Sequence, residues 1–234
     1  MLFVGHISIA FLLTYAISKK FVLNDVSISF AMFLSTLPDV DLVFRLLGIE
    51  FGHRSITHST IIWTIVALAF LAKYRRISVV VYSLAYLSHI IIGDLLVGPI
   101  NLLYPIGDFV VSGGIRFGTT SDIITEGVLF AIMAILIIME NLYKDNSRQH
   151  ILLLHYSTLD RFFYSILITE IIISPIFLLS NRFQDFSNLL SLSHVDTNVI
   201  ALALLHVVMI IAIAFLWIKS KSQAQIKDVS CYRT

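Results

Sequence analysis

Two short segments of this chain concentrate side chains that can bind a metal ion. Residues 37–41 read Leu-Pro-Asp-Val-Asp, and residues 53–59 read His-Arg-Ser-Ile-Thr-His-Ser. Carboxylate oxygens and imidazole nitrogens together suit ions such as zinc and manganese. The pattern therefore predicts a metal site that uses Asp39, His53 and His58. The alternative is that the same side chains are simply solvated at a membrane surface.

Two further residues in these segments suit roles in catalysis. The planar guanidinium of Arg54 can bind a phosphate or carboxylate through two hydrogen bonds, so we expect it to hold a substrate oxyanion. Asp41 lies two positions after Asp39, and we expect it to act as a general base, as a bridging metal ligand, or as a partner that orients a metal ligand. An arginine that extends to lipid headgroups is the alternative for Arg54.

Three ionisable residues outside these segments are also candidate metal ligands. His89 and Asp94 interrupt an almost purely aliphatic stretch, where an ionisable group is costly and usually functional. Gly93 is expected to loosen the helix there and to bring Asp94 back toward His89. His6 lies near the start of the first apolar stretch. For His89, a hydrogen bond that only holds two helices together is the alternative.

The elements that must position these residues are membrane-spanning helices. The chain has 234 residues, of which 58% are hydrophobic and 13% charged, against roughly a quarter charged in soluble domains. We predict an all-α, polytopic transmembrane helical bundle that forms one integral membrane domain over residues 1–234. A span needs roughly 20 apolar residues. The seven predicted spans are 2–18, 21–44, 59–72, 78–97, 123–143, 162–179 and 199–218.

The distribution of lysine and arginine predicts the orientation of the bundle. Cytoplasmic loops of membrane proteins carry an excess of these residues. With the N-terminus outside, 12 of the 16 basic residues fall on the cytoplasmic side, together with a polar C-terminal tail over 219–234. The candidate ligands then converge at the outer ends of their helices. We therefore expect a multi-pass protein of the cell membrane whose site faces the extracytoplasmic side.

Several other features were assigned weaker or no roles. Segment 98–121 is predicted to be a re-entrant or interfacial loop that covers the site. Asp122 and Glu126 share one helix face, and Thr119, Thr120 and Ser121 just before them are expected to cap the helix. The two acids either complement the helix dipole or have a functional role. The single cysteine, Cys231, excludes an internal disulfide, and no basic face suggests nucleic acid. We expect a structural role for Glu170 and His206, which lie within the sixth and seventh predicted spans. No role is assigned to His150, His155 and His194.

The ordered motifs resemble a known family. They are Gly5-His6, Leu-Pro-Asp-x-Asp at 37–41, His-Arg-x-x-Thr-His-Ser at 53–59, His89 with Asp94, and Tyr104-Pro105. Over residues 1–110 this combination is similar to the membrane-bound metal-dependent hydrolases, also called the LexA-binding, inner-membrane-associated (YdjM-like) family. The resemblance implies a multi-spanning membrane protein with metal-dependent hydrolase activity. The chain departs from the family pattern in having four residues, where three are expected, between His89 and Asp94.

Two functions follow from these observations. The first is a metal-dependent hydrolase at the outer membrane interface, with one to three zinc-like ions and a phosphoester of a lipid or lipid-linked molecule as substrate. The second is a membrane protein without enzymatic activity, such as an accessory subunit or a transporter, that keeps the polar cluster for structure. A transporter is expected to place ionisable groups near the midplane of the membrane, whereas here they gather at one face. Besides the bilayer, the sequence identifies no partner.

Overall fold

A computed structural model describes residues 3–23, 25–41, 56–107, 109–116 and 119–142, together with Ile211. The chain divides into two compact units, Met1–Leu152 and Leu153–Thr234. The first unit contains all of the described helices discussed below. The predicted sixth and seventh spans, the predicted tail, His53 and Arg54 lie outside the described residues.

The described residues form mainly helices. The α-helices are α1 (Phe3–Phe21), α2 (Ile28–Leu34), α3 (Thr60–Tyr74), α4 (Ile77–Ser88) and α5 (Thr120–Leu142). A 3-10 turn covers Leu37–Asp39, and a π-helical segment, His89–Asp94, continues α4. Strands β1 (Ile100–Asn101) and β2 (Val110–Val111) pair antiparallel, with Ile100 opposite Val111. The predicted helical class is confirmed for the described residues, with this small hairpin as an addition.

The start of α3 follows the sequence prediction. Ser59 is its N-cap, and the Ser59 hydroxyl accepts a hydrogen bond from the backbone N–H of Ile62 at 3.2 Å. A side-chain oxygen at this position satisfies one of the N–H groups that a helix leaves open at its start. At the other end, Arg75 adopts a left-handed conformation with φ 51° and ends the helix. Helix α3 therefore matches the predicted span 59–72 to within two residues.

The second predicted span differs from the observed structure. Helix α2 covers only seven residues, because Ser27 caps its start and Pro38 follows its end. Proline has no N–H to donate and its ring clashes with the carbonyl four residues earlier, which here belongs to Leu34, the last residue of α2. The chain instead turns through the 3-10 segment, in which the N–H of Asp39 donates to the carbonyl of Thr36 at 3.1 Å.

Two of the described helices are long and apolar enough to cross a membrane. They are Ile77–Asp94, which joins α4 to the π segment, and Thr120–Ile137 in α5. Helix α3 is apolar but shorter than this length. The described helices therefore support two spans, and the prediction of seven spans rests on the hydropathy of the sequence alone.

Helix α1 lies at the centre of the first unit, where it packs against α2, α4 and α5. Ala10, Ala31 and Ala85 form a buried cluster at the junction of α1, α2 and α4. Alanine has almost no side chain, so the three helices can approach closely there. His6 lies one turn before Ala10, and it therefore points into the same interior.

Candidate metal centre

Five of the six predicted metal ligands come together in the structure. His6 comes from α1, Asp39 from the 3-10 turn, His58 from the residues before α3, and His89 and Asp94 from the π segment. Their donor atoms form two groups that could each hold an ion, with all atoms of a group within 4.8 Å of one another. The groups are His6, Asp39 and His89, and His58, His89 and Asp94. His89 belongs to both, so the groups are one cluster.

The shortest distances within the cluster join two imidazoles to two carboxylates. The Nε2 atom of His58 lies 3.1 Å from Oδ2 of Asp94, and Nε2 of His89 lies 3.3 Å from the same oxygen. Both Nε2 atoms also lie 3.5 Å from Oδ1 of Asp39. Two nitrogens and two oxygens therefore face one point, as the ligands of a single ion do.

The π-helical segment explains how His89 and Asp94 meet. In an α-helix, residues five positions apart diverge by about 140° around the axis. A π segment has hydrogen bonds from residue i to i+5, and such segments often occur at functional sites. Over His89–Asp94 this wider turn places both side chains on the same side. The loosening of the helix that the sequence suggested near Gly93 is thus observed.

Gly93 also makes room for His6. A Cβ atom built at Gly93 would collide with Cε1 and Nδ1 of the His6 ring. Only a residue without a side chain lets α1 bring His6 against the π segment. The ring of His6 stacks on that of His89, with centroids 3.7 Å apart and planes 14° from parallel. Two stacked imidazoles repel each other if both are charged, so the arrangement favours a neutral, ligating ring.

A backbone carbonyl fixes the orientation of His89. The Nδ1 atom of His89 lies 2.7 Å from the carbonyl oxygen of Ser35, at the end of α2. The carbonyl can only accept, so Nδ1 carries the proton, and Nε2 is the nitrogen that faces the carboxylates and remains for a metal ion. Metal-binding histidines usually have such a partner on their other nitrogen. Sequence reasoning missed Ser35, because a backbone acceptor leaves no residue-type signal.

Asp41 and Thr57 orient His58 in a similar way. The hydroxyl of Thr57 donates to Oδ2 of Asp41 at 3.1 Å, and its oxygen lies 3.0 Å from Nδ1 of His58. Since the hydroxyl proton goes to Asp41, Nδ1 of His58 is the donor and Nε2 is left for a ligand role. Asp41 is buried and lies 3.6 Å from Nδ1. It therefore faces the side of His58 opposite to the other ligands.

A second layer of aromatic side chains supports Thr57. The hydroxyl of Tyr86 donates to the backbone carbonyl of Thr57 at 2.6 Å. The ring of Tyr86 stacks on Trp63, with centroids 3.7 Å apart. These two aromatic residues come from α4 and α3, so they link the start of α3 to the helix that carries His89. The aliphatic pattern around them gave no sign of this role.

The surroundings of His58 favour a positive charge on its ring. Burial lowers the pKa of His58, but hydrogen bonds to Asp39 and Asp94 outweigh burial and raise its pKa above the ordinary value of 6.5. A protonated His58 therefore balances the two buried carboxylates when no other cation does. A metal ion needs the unprotonated ring and would supply that charge itself. Three imidazoles and two carboxylates fit a zinc-like or manganese-like ion.

Asp122 and Glu126 are fully buried in α5, which packs against α1. The backbone N–H of Asp122 donates to the hydroxyl of Thr119 at 3.4 Å, which agrees with the predicted cap at this helix start. Neither carboxylate belongs to the groups of donor atoms formed by the described residues. Thr119 therefore caps this helix start, and both carboxylates lie in the interior of the unit rather than at a solvated helix end.

The segment after the π helix lies against the residues beside His58. The hydroxyl of Ser59 donates to the backbone carbonyl of Tyr104 at 2.5 Å, and the N–H of Thr60 donates to that of Leu102 at 3.3 Å. Thus the predicted covering loop contacts the start of α3, one residue from a candidate ligand.

Comparison with known proteins adds one result. The family described as YdjM inner membrane protein matches residues 1–171, that is, 171 of the 234 residues. The matched region contains all the candidate ligands, including His53. No curated protein matches the chain, and no solved structure matches it either.

Proposed function

The chain belongs to the YdjM inner membrane protein family, and on that premise we propose that it is a membrane-embedded, metal-dependent hydrolase. One observation carries the proposal. Five side chains with metal-binding atoms, from four separate segments, converge on one buried point. Buried ionisable groups in a membrane protein usually mark function.

In this proposal the ligands are His6, Asp39, His58, His89 and Asp94. His89 offers only Nε2, because Nδ1 donates to the carbonyl of Ser35. The group His6, Asp39 and His89 and the group His58, His89 and Asp94 share this one nitrogen. Since Nε2 of His89 can bind only one ion, the two groups favour a single ion next to His89. A second ion would require Asp39 or Asp94 to bridge, and His53 is the further ligand that we propose for it. Distances of 3.1–3.5 Å between the imidazoles of His58 and His89 and the carboxylates of Asp39 and Asp94 support the assignment of these four.

When bound, a divalent ion supplies a water of lowered pKa and polarises the bond to be cut. The protein's own residues orient and admit the reactants. Asp41 positions His58 through Thr57, a role that its geometry supports better than that of a general base. Asp39 is the most exposed of the five ligands, with 13% of its side chain accessible. We propose that substrate approaches from the side of Asp39. We also propose that Arg54, which lies outside the described residues, holds its oxyanion.

We propose seven spans, an external N-terminus and a site on the extracytoplasmic side. Two of the described helices agree with this orientation, because each has a candidate ligand at or beside its start and a lysine in its last turn. Helix α1 carries His6 at its start and Lys19 at its end. Helix α3 begins beside His58 and ends near Lys73. The excess of basic residues is expected in the cytoplasm, so the cluster ends face outward.

The substrate class follows from this depth. A site at the outer membrane interface lies at the level of lipid headgroups, whose phosphoesters are substrates that metal-dependent hydrolases can cut. We therefore propose a phosphoester of a lipid or lipid-linked molecule.

A non-enzymatic accessory role is favoured by a different observation: His58, His89 and Asp94 are almost fully buried and already pair with one another. Such a network can serve stability alone.

Metal analysis of purified protein tests the proposal. Wild type, His58→Ala and His89→Ala are purified in detergent, supplied with zinc or manganese, and their bound metal is measured by mass spectrometry. We expect metal in wild type and its loss in both variants. Thr14→Val is the matched control, since Thr14 is equally buried in α1 but two turns away from His6. Folded wild type without metal would overturn the proposal.

Activity then separates the two functions. Metal-loaded wild type is assayed with a chromogenic phosphodiester and with phospholipids, alongside His89→Ala. Hydrolysis by wild type that is lost in the variant supports the enzyme. Stoichiometric metal without hydrolysis of any phosphoester favours the accessory role.

A further inference from the structure

The hairpin between α4 and α5 is fixed to the end of a membrane-spanning helix. The N–H of Gly113 donates to the carbonyl of Leu95 at 2.5 Å, and that of Ile115 donates to Leu96 at 3.1 Å. Ile100, at the base of the hairpin, is buried in a cluster with Ile90. Both strands therefore return to the same end of the span Ile77–Asp94. The hairpin must lie at the membrane surface on that side.

The same hairpin is held at the level of the candidate metal centre. The carbonyl of Leu102 accepts hydrogen bonds from both the N–H and the hydroxyl of Thr60, at 3.3 and 2.5 Å. The carbonyl of Tyr104 accepts from the hydroxyl of Ser59. Ser59 and Thr60 directly follow His58, so the position of the hairpin determines the position of this ligand.

Beyond its fixed base, the hairpin exposes large apolar side chains. We call Leu103, Ile106, Phe109 and Val110 the hairpin tip. All four are exposed, and Ile106 reaches 76%. Apolar side chains grouped in this way at a protein surface usually mark an interaction site. Between them the sequence has Gly107, which adds no side chain, and one acid, Asp108, which lies outside the described residues.

The surface next to the hairpin tip indicates what covers it. Helix α3 has no buried residue and exposes Ile65, Leu68 and Phe70. In an inner membrane protein, such a face is in contact with lipid acyl chains. Thr60, the first residue of α3, donates two hydrogen bonds to the carbonyl of Leu102 in the hairpin. The exposed apolar side chains of the hairpin tip therefore lie near the start of α3, at the membrane boundary. Lipid is therefore the occupant that the surroundings favour.

We infer that the four apolar side chains of the hairpin tip insert into the leaflet where headgroups meet acyl chains, at the metal-centre end of the bundle. In this position the hairpin anchors the start of α3 at the membrane interface and holds His58 at headgroup depth. The inference concerns the lipid contact of the hairpin and is independent of whether the cluster binds metal or hydrolyses a substrate.

Site-directed fluorescence in lipid nanodiscs tests this contact. The single cysteine is first removed with Cys231→Ser. Ile106→Cys is then labelled with an environment-sensitive fluorophore, with Ser112→Cys as the matched control. Ser112 is exposed and polar and lies just beyond β2. Both variants are reconstituted at one copy per disc, and quenching is measured with acyl-chain spin-labelled lipid and with aqueous iodide.

We expect the label at position 106 to be quenched several-fold more strongly by the lipid quencher than the label at position 112, and to be shielded from iodide. Quenching by iodide but not by lipid at position 106 would overturn the inference, because the tip would then lie in water. Shielding from both quenchers would also overturn it, since another part of the protein would cover the tip. Phe109→Cys provides a second reporter of the same contact and is expected to behave like Ile106→Cys.

Discussion

The Nε2 atom of His89 lies 3.3 Å from Oδ2 of Asp94, although the two residues are five positions apart on one helix. The contact depends on the π-helical turn over His89–Asp94. A π segment accommodates one more residue per turn than the regular α-helix that precedes it. The additional residue between His89 and Asp94, which distinguished this chain from the pattern of its family, is thus taken up without separating the pair.

Deleting one lipid-facing residue of the π segment should therefore preserve the site. Removal of Ile91, which is exposed, leaves Asp94 four positions after His89, where an α-helix also places both on one face. We expect the variant to fold and to keep its bound metal, as measured by mass spectrometry after size-exclusion chromatography.

Deletion of Val80 is the matched control for this experiment. Val80 is also exposed but lies in the regular part of α4. Its removal rotates His89 by about 100° relative to the start of the helix, so metal should be lost. The Ile91 deletion could instead fold but lose as much metal as the Val80 deletion. The π segment would then do more than accommodate the additional residue between His89 and Asp94.

Gly93→Ala should weaken metal binding through His6. The new methyl group would occupy the position of the His6 ring, so His6 must move away from His89. We expect a loss of affinity similar to that of His6→Ala, measured by competition with a chromophoric chelator. The double variant should be no weaker than either single variant, because both remove the same ligand.

Gly127→Ala serves as the control for the glycine substitution. A Cβ at Gly127 meets no atom within 4 Å, and alanine favours a helix over glycine by about 1 kcal/mol. Affinity should be unchanged and stability unchanged or higher. Metal binding by Gly93→Ala at wild-type strength would show that His6 is not a ligand.

Asp41→Asn should weaken metal binding without abolishing it. Asp41 contacts His58 on the Nδ1 side and through Thr57, and loss of such an outer partner typically lowers affinity about 10–100-fold. Thr57→Val should have a similar effect, and Asp41→Glu should restore part of it. Chelator competition gives the affinities.

Asp94→Asn is the comparison that identifies the role of Asp41. As a proposed ligand, Asp94 should be required for stoichiometric binding. Complete loss of metal in Asp41→Asn would make Asp41 a ligand instead. Unchanged affinity with lost hydrolysis would make it the general base.

The pH dependence of stability should reverse when metal binds. In metal-free protein the raised pKa of His58 stabilises the fold below the ordinary value of 6.5, and this contribution is lost as pH rises through the raised pKa. With metal bound, His58 must be unprotonated, so binding and the stability that it confers should increase with pH over the same range.

Thermal unfolding in detergent measures both trends, with chelator in one series and zinc in the other. His58→Gln removes the titrating group, and its difference from wild type isolates the contribution of His58. A metal-free difference that grows as pH rises above 6.5 would contradict the direction of the pKa shift.

The sequence by itself determined the helical class and identified most of the ionisable residues that gather in the candidate metal centre. These properties are local or additive. Hydropathy indicates which stretches are apolar enough for a span, Ser59 caps α3 by its own side chain, and Pro38 ends α2 through its own ring. The positions of His6, His58, His89 and Asp94 at one end follow from the alternation of helices.

Only the tertiary structure decided how these residues are used. The side of His58 that Asp41 occupies and the carbonyl that orients His89 depend on the backbone path of the whole unit. The fit of His6 against Gly93 requires two helices that are far apart in sequence. Contacts of this kind arise from packing between distant segments, for which residue type and spacing along the chain carry no signal.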